Sequence, residues 1–171
     1  SPLKTWASGM IRFAHGLPIV LFLLIVLTSR SWPTCYYVAT TGNDSNPGTM
    51  DQPFLTIAKG LSLSSTLFAP GDTLMVRGGT YTATATISIP TSKNGIAGSR
   101  YQLLASPGER AHLDFSSLAF GGSNRGIHLR ASYWYIRGLD IQGAGDNGML
   151  INGSFNVVEN CTFFENRDTG H

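Results

Sequence analysis

The 171 residues are 42% apolar and only 13% charged, which excludes a disordered chain and leaves room for one domain with its own core. The formal charge of +2 is concentrated at the N-terminal end, in Lys4, Arg12 and Arg30; from Trp32 onward nine Lys/Arg stand against ten Asp/Glu. A near-neutral remainder without a basic stripe excludes a nucleic-acid reader.

Residues 1–31 have the layout of a secretory leader. Arg12 and His15 precede an unbroken apolar run, Leu17 to Leu27, and then the small and polar "TSRS", with Ser29 and Ser31 placed for a cut ahead of Trp32. A membrane anchor is the competing reading, but the run is about half of the ~20 residues that a spanning helix needs. The expectation is a secreted protein with no stable membrane anchor once the leader is removed. Met10 looks like the natural start, so "SPLKTWASG" reads as upstream read-through. Cys35 and Cys161 are too few for a disulfide scaffold, and "SWPTC" lacks the small-residue box of a lipoprotein.

Residues 32–171 form the second segment. "YYVATTG" reads as a first strand and "NDSNPGTMDQPF" as turn chemistry. "LTIAKGLSLSS" spaces Ile57, Leu61 and Leu63 for a short cap helix, weakened by Gly60. "PGDTLMVRGGTY" gives a turn, a strand from Thr73 to Arg77 and a glycine corner.

Internal repetition is the most informative feature. "GIHLRASYWYIRGLDIQGAGDNG" lies over "GMLINGSFNVVENCTFFENRDTG" at a shift of 22, pairing Ile127 with Met149, Ile136 with Val158, Leu139 with Cys161, and Ile141 with Phe163. An earlier copy, "QLLAS" and "AHLDF", matches "HLRAS" and "RGLDI" at a shift of 26. Short strands and turns at this period predict an all-β, right-handed parallel β-helix of about 22–26 residues per coil, each coil burying its inward side chains against the next. Leucine-rich repeats share the period but need a helical segment and a leucine pattern that are missing. The alignment predicts one inward column of Leu113, Leu139 and Cys161 and a second of Phe115, Ile141 and Phe163. Asp114, Asp140 and Thr162 fall between them and point outward.

Several motifs have a structural and a chemical reading. "GAGDNG", Gly143 to Gly148, spells GxGxxG, but "MLINGSFNVVEN" follows it where a dinucleotide site needs a helix, so a solenoid corner is expected. His15, His112, His128 and His171 show no metal-ligand spacing, and His112 and His128 are expected as outward strand residues. Asn160, aligned with Gly138, is expected at a corner with its side chain satisfying backbone groups. Asn43, Asn152 and Asn160 each open an N-x-Ser/Thr string, relevant only in a eukaryotic secretory route. Asp146 and its repeat partner Asp168, with Arg167 alongside, either hold a hard cation such as calcium or cap their own turns. Capping is the expected role. Arg77, Arg125, Arg130 and Arg137 are candidates to pair with the carboxylates of an acidic polymer.

"YYVATTGNDSNPGTMDQPFLTIAKG" with "PGDTLMVRGGTY" resembles the N-terminal region of many secreted β-helix proteins. "YWYIRGLDIQGAGDNGMLINGSFNVVENCTFFENRDTG" resembles, more specifically, polysaccharide lyase family nine, the pectate lyases of that fold. The resemblance spans about Tyr36 to Gly170. It implies a calcium-dependent lyase on polygalacturonate, an acidic polysaccharide: calcium bridges the uronate carboxylate and acidifies the C5 proton, a lysine removes it, and the C4 oxygen leaves. In the family the calcium aspartates and the lysine lie after the "NRDTG" coil, in strings such as "ADGF" and "SDDG" that do not occur here. No catalytic, cofactor-binding or metal residue is therefore assigned in this chain. The resemblance implies an N-terminal fragment of a monomeric, secreted lyase, itself inactive and aggregation-prone. The alternatives are a non-catalytic carbohydrate-binding or adhesion β-helix, and a glycoside hydrolase with paired carboxylates.

Overall fold

A computed structural model of the protein describes residues 32–167; the proposed leader and Asp168 lie outside the described residues. Twelve short strands and one helix wind in parallel coils. The strands are β1 (Cys35–Val38), β2 (Thr73–Val76), β3 (Gly79–Thr82), β4 (Ile87–Ile89), β5 (Tyr101–Ala105), β6 (Ala111–Asp114), β7 (Ile127–Leu129), β8 (Trp134–Arg137), β9 (Leu139–Gln142), β10 (Met149–Ile151), β11 (Val157–Glu159) and β12 (Thr162–Phe164). They form three sheets: a first with order β1-β2-β5-β8-β11, a second with order β12-β9-β6-β3, and a third with order β10-β7-β4. Every strand pairing is parallel, one coil on the next.

The expected register of 22 holds for the last two coils, where Ile127 faces Met149, Ile136 faces Val158 and Asp140 faces Thr162. The register of 26 for the earlier copy does not. Gln102 pairs with Tyr135 and Ala111 with Leu139. Leu113 consequently stacks on Ile141 and Phe163, one rung from its expected column. A slip of two residues preserves the face a side chain occupies, so Leu113, Phe115, Leu139 and Ile141 are all inward and fully buried as expected. Cys161 and Val158, on the last described coil, pack against this core while partly exposed.

The corners between strands repeat as faithfully as the strands. Gly138 and Asn160 sit at φ 78° and 50°, and Gly143 and Glu165 at 73° and 54°. Tyr133 and Phe155 both adopt φ 58°, and their rings stack at 4.8 Å. Left-handed backbone costs a side-chain-bearing residue on the order of 1 kcal/mol, so packing between coils must hold these residues there. Asn160 occupies its corner as expected, but its side chain contacts Glu159 and not the backbone. That backbone role belongs to Asn156 and Asn166. Each accepts a hydrogen bond from the coil before, from Trp134 N at 2.8 Å and from Ala144 N at 3.0 Å, and each donates back to a carbonyl, of Ala131 and Ile141 respectively.

One end is closed by α1 (Ile57–Ser62), whose N-cap Thr56 accepts from Lys59 N at 3.1 Å. The Asp44 carboxylate fixes this start by accepting from Leu55 N and Thr56 N, both at 2.9 Å. Gly60 is the reason that the helix can lie flat on the first coil: a Cβ there would meet Leu74 Cδ1 at 2.5 Å. The expected weak point of the helix is therefore its contact. Beneath it Tyr36, Phe54, Phe68, Tyr101 and Trp134 form a chain of ring contacts, with Tyr101 stacked on Trp134 at 5.0 Å. Burial of side chains of this size stabilises by roughly 1.5–3 kcal/mol each. A buried lysine, Lys93, joins the cluster. Its ammonium donates to Leu63 O at 2.5 Å and lies 5.3 Å from the Phe68 ring and 5.8 Å from Tyr101, while Trp134 Nε1 donates to its carbonyl at 2.8 Å. Burial pushes its pKa down, against the pull of Asp72.

Tyr81 links the coils at a second place, donating to Arg77 O at 2.8 Å and Val38 O at 3.2 Å. Burial first, and then the charge of Glu109, push its phenol up to about 12 from the ordinary 10.0. A folded pKa above the unfolded one means that the contribution is complete below pH 10 and is lost as the pH rises toward 12. Chemical denaturation across that window is expected to show a fall on the order of 1–2 kcal/mol that Tyr81→Phe reduces. An equal fall in the variant would contradict the assignment.

Candidate functional site

A saccharide polymer can reach a solenoid only at its corners and outer faces, so the polar residues there define the candidate site. "GAGDNG" forms the corner between β9 and β10, and no helix follows it. Its glycines serve packing. A Cβ on Gly145 would stand 2.0 Å from Ala119 O, and the Gly145 carbonyl accepts from Gly121 N at 3.0 Å. The corner reading holds, and a loop spanning residues 115–126 is what the glycines admit.

Asp146, the calcium candidate, is buried and faces Arg125, with Oδ2 at 3.2 Å from Nε. Its other recorded side-chain partner is Asn147 Nδ2 at 3.0 Å. The expected turn cap is thus replaced by an ion contact reaching to the preceding loop. Arg167 does not join it. Its Nη2 donates to Leu118 O at 3.1 Å and its backbone N to Ala144 O at 2.9 Å. Among the described residues no group of three His, Cys, Asp or Glu is arranged to hold a metal ion. With Asp146 engaged by Arg125 and Asp140 by Arg110, these residues do not fit calcium.

The four candidate arginines divide. Arg77 Nε pairs with Glu109 at 3.0 Å; the Gly78 N–H and then Arg77 hold that carboxyl below its usual range. Arg125 is taken by Asp146. Arg137 stands beside Tyr135, whose hydroxyl donates to Glu159 at 2.6 Å and is pushed up in pKa chiefly by that bond. Arg130 is exposed and has no recorded side-chain partner among the described residues. Sequence reasoning missed Arg110, which grips Asp140 with Nε–Oδ2 at 2.8 Å, and also missed Lys93. Arg110 and Asp140 are thirty residues apart in sequence, so only the register identifies them as neighbours.

His112 and His128 are outward strand residues as expected. His112 packs on Phe164, with ring centroids 5.6 Å apart, and His128 Nε2 lies 2.6 Å from Asn152 Oδ1. Asn43 Oδ1 accepts from Ser45 N at 2.8 Å, an exposed local turn. A groove between α1 and β3–β4 is lined by Leu55, Ile57, Leu61, Ala83 and Ile87, with no charged residue. That lining suits no carboxylate. Among the described residues no helix is long and apolar enough to cross a membrane.

Residues 36–171 match the profile of the Pel9A-like right-handed β-helix region. The chain belongs to this family. Over 134 residues it is 46% identical to pectate lyase L of Paenibacillus polymyxa, covering 78% of this chain and 29% of that protein. Pectate lyase L of Dickeya dadantii is 33% identical over 141 residues, which cover 79% of this chain and 32% of that protein. The crystal structure of pectate lyase Pel9A superposes with a TM-score of 0.66 at 30% identity, over 77% of this chain and 33% of that one. A rhamnogalacturonan lyase superposes with a TM-score of 0.55 at 26% identity, over 64% and 28%. The chain thus spans about a third of the length of these relatives.

In this Pel9A-like chain Asp146 is structural. Asp146→Asn is expected to lower stability by about 3 kcal/mol, because it leaves a guanidinium without its counter-charge. Calcium is expected to shift the thermal midpoints of the two proteins equally. A calcium-dependent stabilisation lost only in the variant would restore Asp146 as a ligand.

Proposed function

We propose that this chain is the N-terminal part of a secreted pectate lyase which, at full length, cleaves polygalacturonate by calcium-assisted β-elimination. The carrying observation is the 46% identity to pectate lyase L over 134 residues. Membership of the Pel9A-like family across residues 36–171 supports it. Coverage of only 29% of that relative leaves the calcium ligands and the base to coils beyond this chain, and the chain by itself is inactive. Secretion rests on the leader of Arg12 and Leu17–Leu27.

The full-length protein is a monomer in this reading. On the last described coil Phe163 is 44% exposed and Ile151 45%, apolar surface that a further coil covers in a solenoid. The isolated 171-residue chain is expected to aggregate in sedimentation. A soluble, cooperatively unfolding monomer would contradict its being a part.

The chemistry is tested by incubating the full-length protein with polygalacturonate and following the absorbance of unsaturated uronate ends. The expected result is a rise that needs calcium and stops with a chelator. No rise with calcium, from neutral to alkaline pH, would exclude the lyase and leave a carbohydrate-binding β-helix.

A further inference from the structure

The three outer faces differ in charge. Strand alternation places Tyr135, Arg137 and Glu159 on the outside of the first sheet, next to the Arg77–Glu109 pair. On the second sheet it places His112, Asp114, Asp140 and Gln142 outward, with Arg110 bound to Asp140. Both faces carry carboxylates, and their arginines have protein partners. On the third sheet the outward row is Ser88, His128 and Leu150. The next outward positions are Arg130 and Asn152, held in the same ladder by Arg130 N to Ile89 O at 3.0 Å and Asn152 N to Leu129 O at 2.9 Å. No carboxylate stands on this face among the described residues. The neighbouring Asp146 is buried against Arg125.

We propose that the outer face of the third sheet binds an anionic saccharide, with the exposed Arg130 pairing with a uronate carboxylate and with His128 and Asn152 beside it. The site rests on the acidic-polysaccharide reading above and extends it to a contact distant from the chemistry. A polyanion is repelled by uncompensated carboxylates and attracted to an uncompensated cation, and of the three faces the third alone offers a cation without a protein partner. A guanidinium donates two parallel bonds to a carboxylate. The His128–Asn152 contact uses Asn152 Oδ1 and leaves the amide N–H groups of Asn152 to donate to sugar oxygens. Coils rise by about 4.8 Å per strand, so a polymer lying along the solenoid axis crosses β4, β7 and β10 in turn.

The test is affinity electrophoresis of the full-length protein in gels containing polygalacturonate, with chelator present to stop turnover. Arg130→Ala is expected to weaken retardation roughly threefold to tenfold. Arg130→Lys is expected to fall between the two, keeping the charge and losing the fork. Lys59→Ala, which removes an equal charge on α1, is expected to run as wild type. Methyl-esterified polymer is expected to retard wild type less than the free acid. Equal retardation of wild type and Arg130→Ala, or no retardation of wild type, overturns the site. Calcium-dependent lyase activity measured on the same preparation separates this from failure of the lyase reading itself: activity present with retardation unchanged sinks the Arg130 site alone.

Discussion

Parallel stacking is the constraint on which the rest of the molecule depends. A coil of three short strands and three corners cannot bury its own inward side chains, and its backbone finds hydrogen-bond partners only on the coils before and after it. Every strand pairing in the described chain is of this kind. The left-handed corners at Tyr133, Gly138, Asn160 and Glu165 are tolerated because they let each strand turn onto the next sheet without breaking the ladder. Asn156 and Asn166 complete it at places where a corner would otherwise leave backbone groups of the preceding coil unpaired. The cap answers the same constraint at one end, placing α1 on Leu74 through Gly60 and filling the space beneath with aromatic rings and the aliphatic stem of Lys93.

With the interior committed to stacking, chemistry is left to the outer faces and corners. Few charges are available, and the structure engages most of them with one another: Arg77 with Glu109, Arg110 with Asp140, Arg125 with Asp146. Such pairs explain why a chain of this family can carry acidic corner residues that are not metal ligands. They also explain why the described residues contain the scaffold of a polysaccharide lyase without a site for its metal.

Legibility from sequence followed coil length. The last two coils are of equal length, so apolar residues recur at a fixed interval, and the register of Ile127, Ile136 and Ile141 could be read directly. Loops of unequal length, residues 106–110 and 115–126, separate the earlier strands. Local likeness then aligned "AHLDF" two residues out of register, which moved Leu113 to the wrong column yet kept it inside. The corner position of Asn160 was visible because Gly138 aligns with it. Its side-chain partner was not, since Asn156 and Asn166 fill that role from positions that align with Trp134's neighbour Ala144 only through the ladder. Charge pairing was the least legible, because Arg110 and Asp140 meet across coils. A lone lysine after "PTS" carries no mark of its burial, and Lys93 was missed for that reason.

The most direct measurement of the parallel register is disulfide trapping in a background lacking Cys35 and Cys161. Gln102 and Tyr135 are partners in adjacent strands, at a spacing within the ~4.4–6.8 Å that a disulfide spans between Cα atoms. The structure predicts that a chain carrying Gln102→Cys with Tyr135→Cys oxidises to a crosslinked form, and that one carrying Gln102→Cys with His128→Cys, the pairing implied by a shift of 26, does not. Crosslinking in the second pair and not in the first would contradict the register, and with it the assignment of every outer-face residue described above.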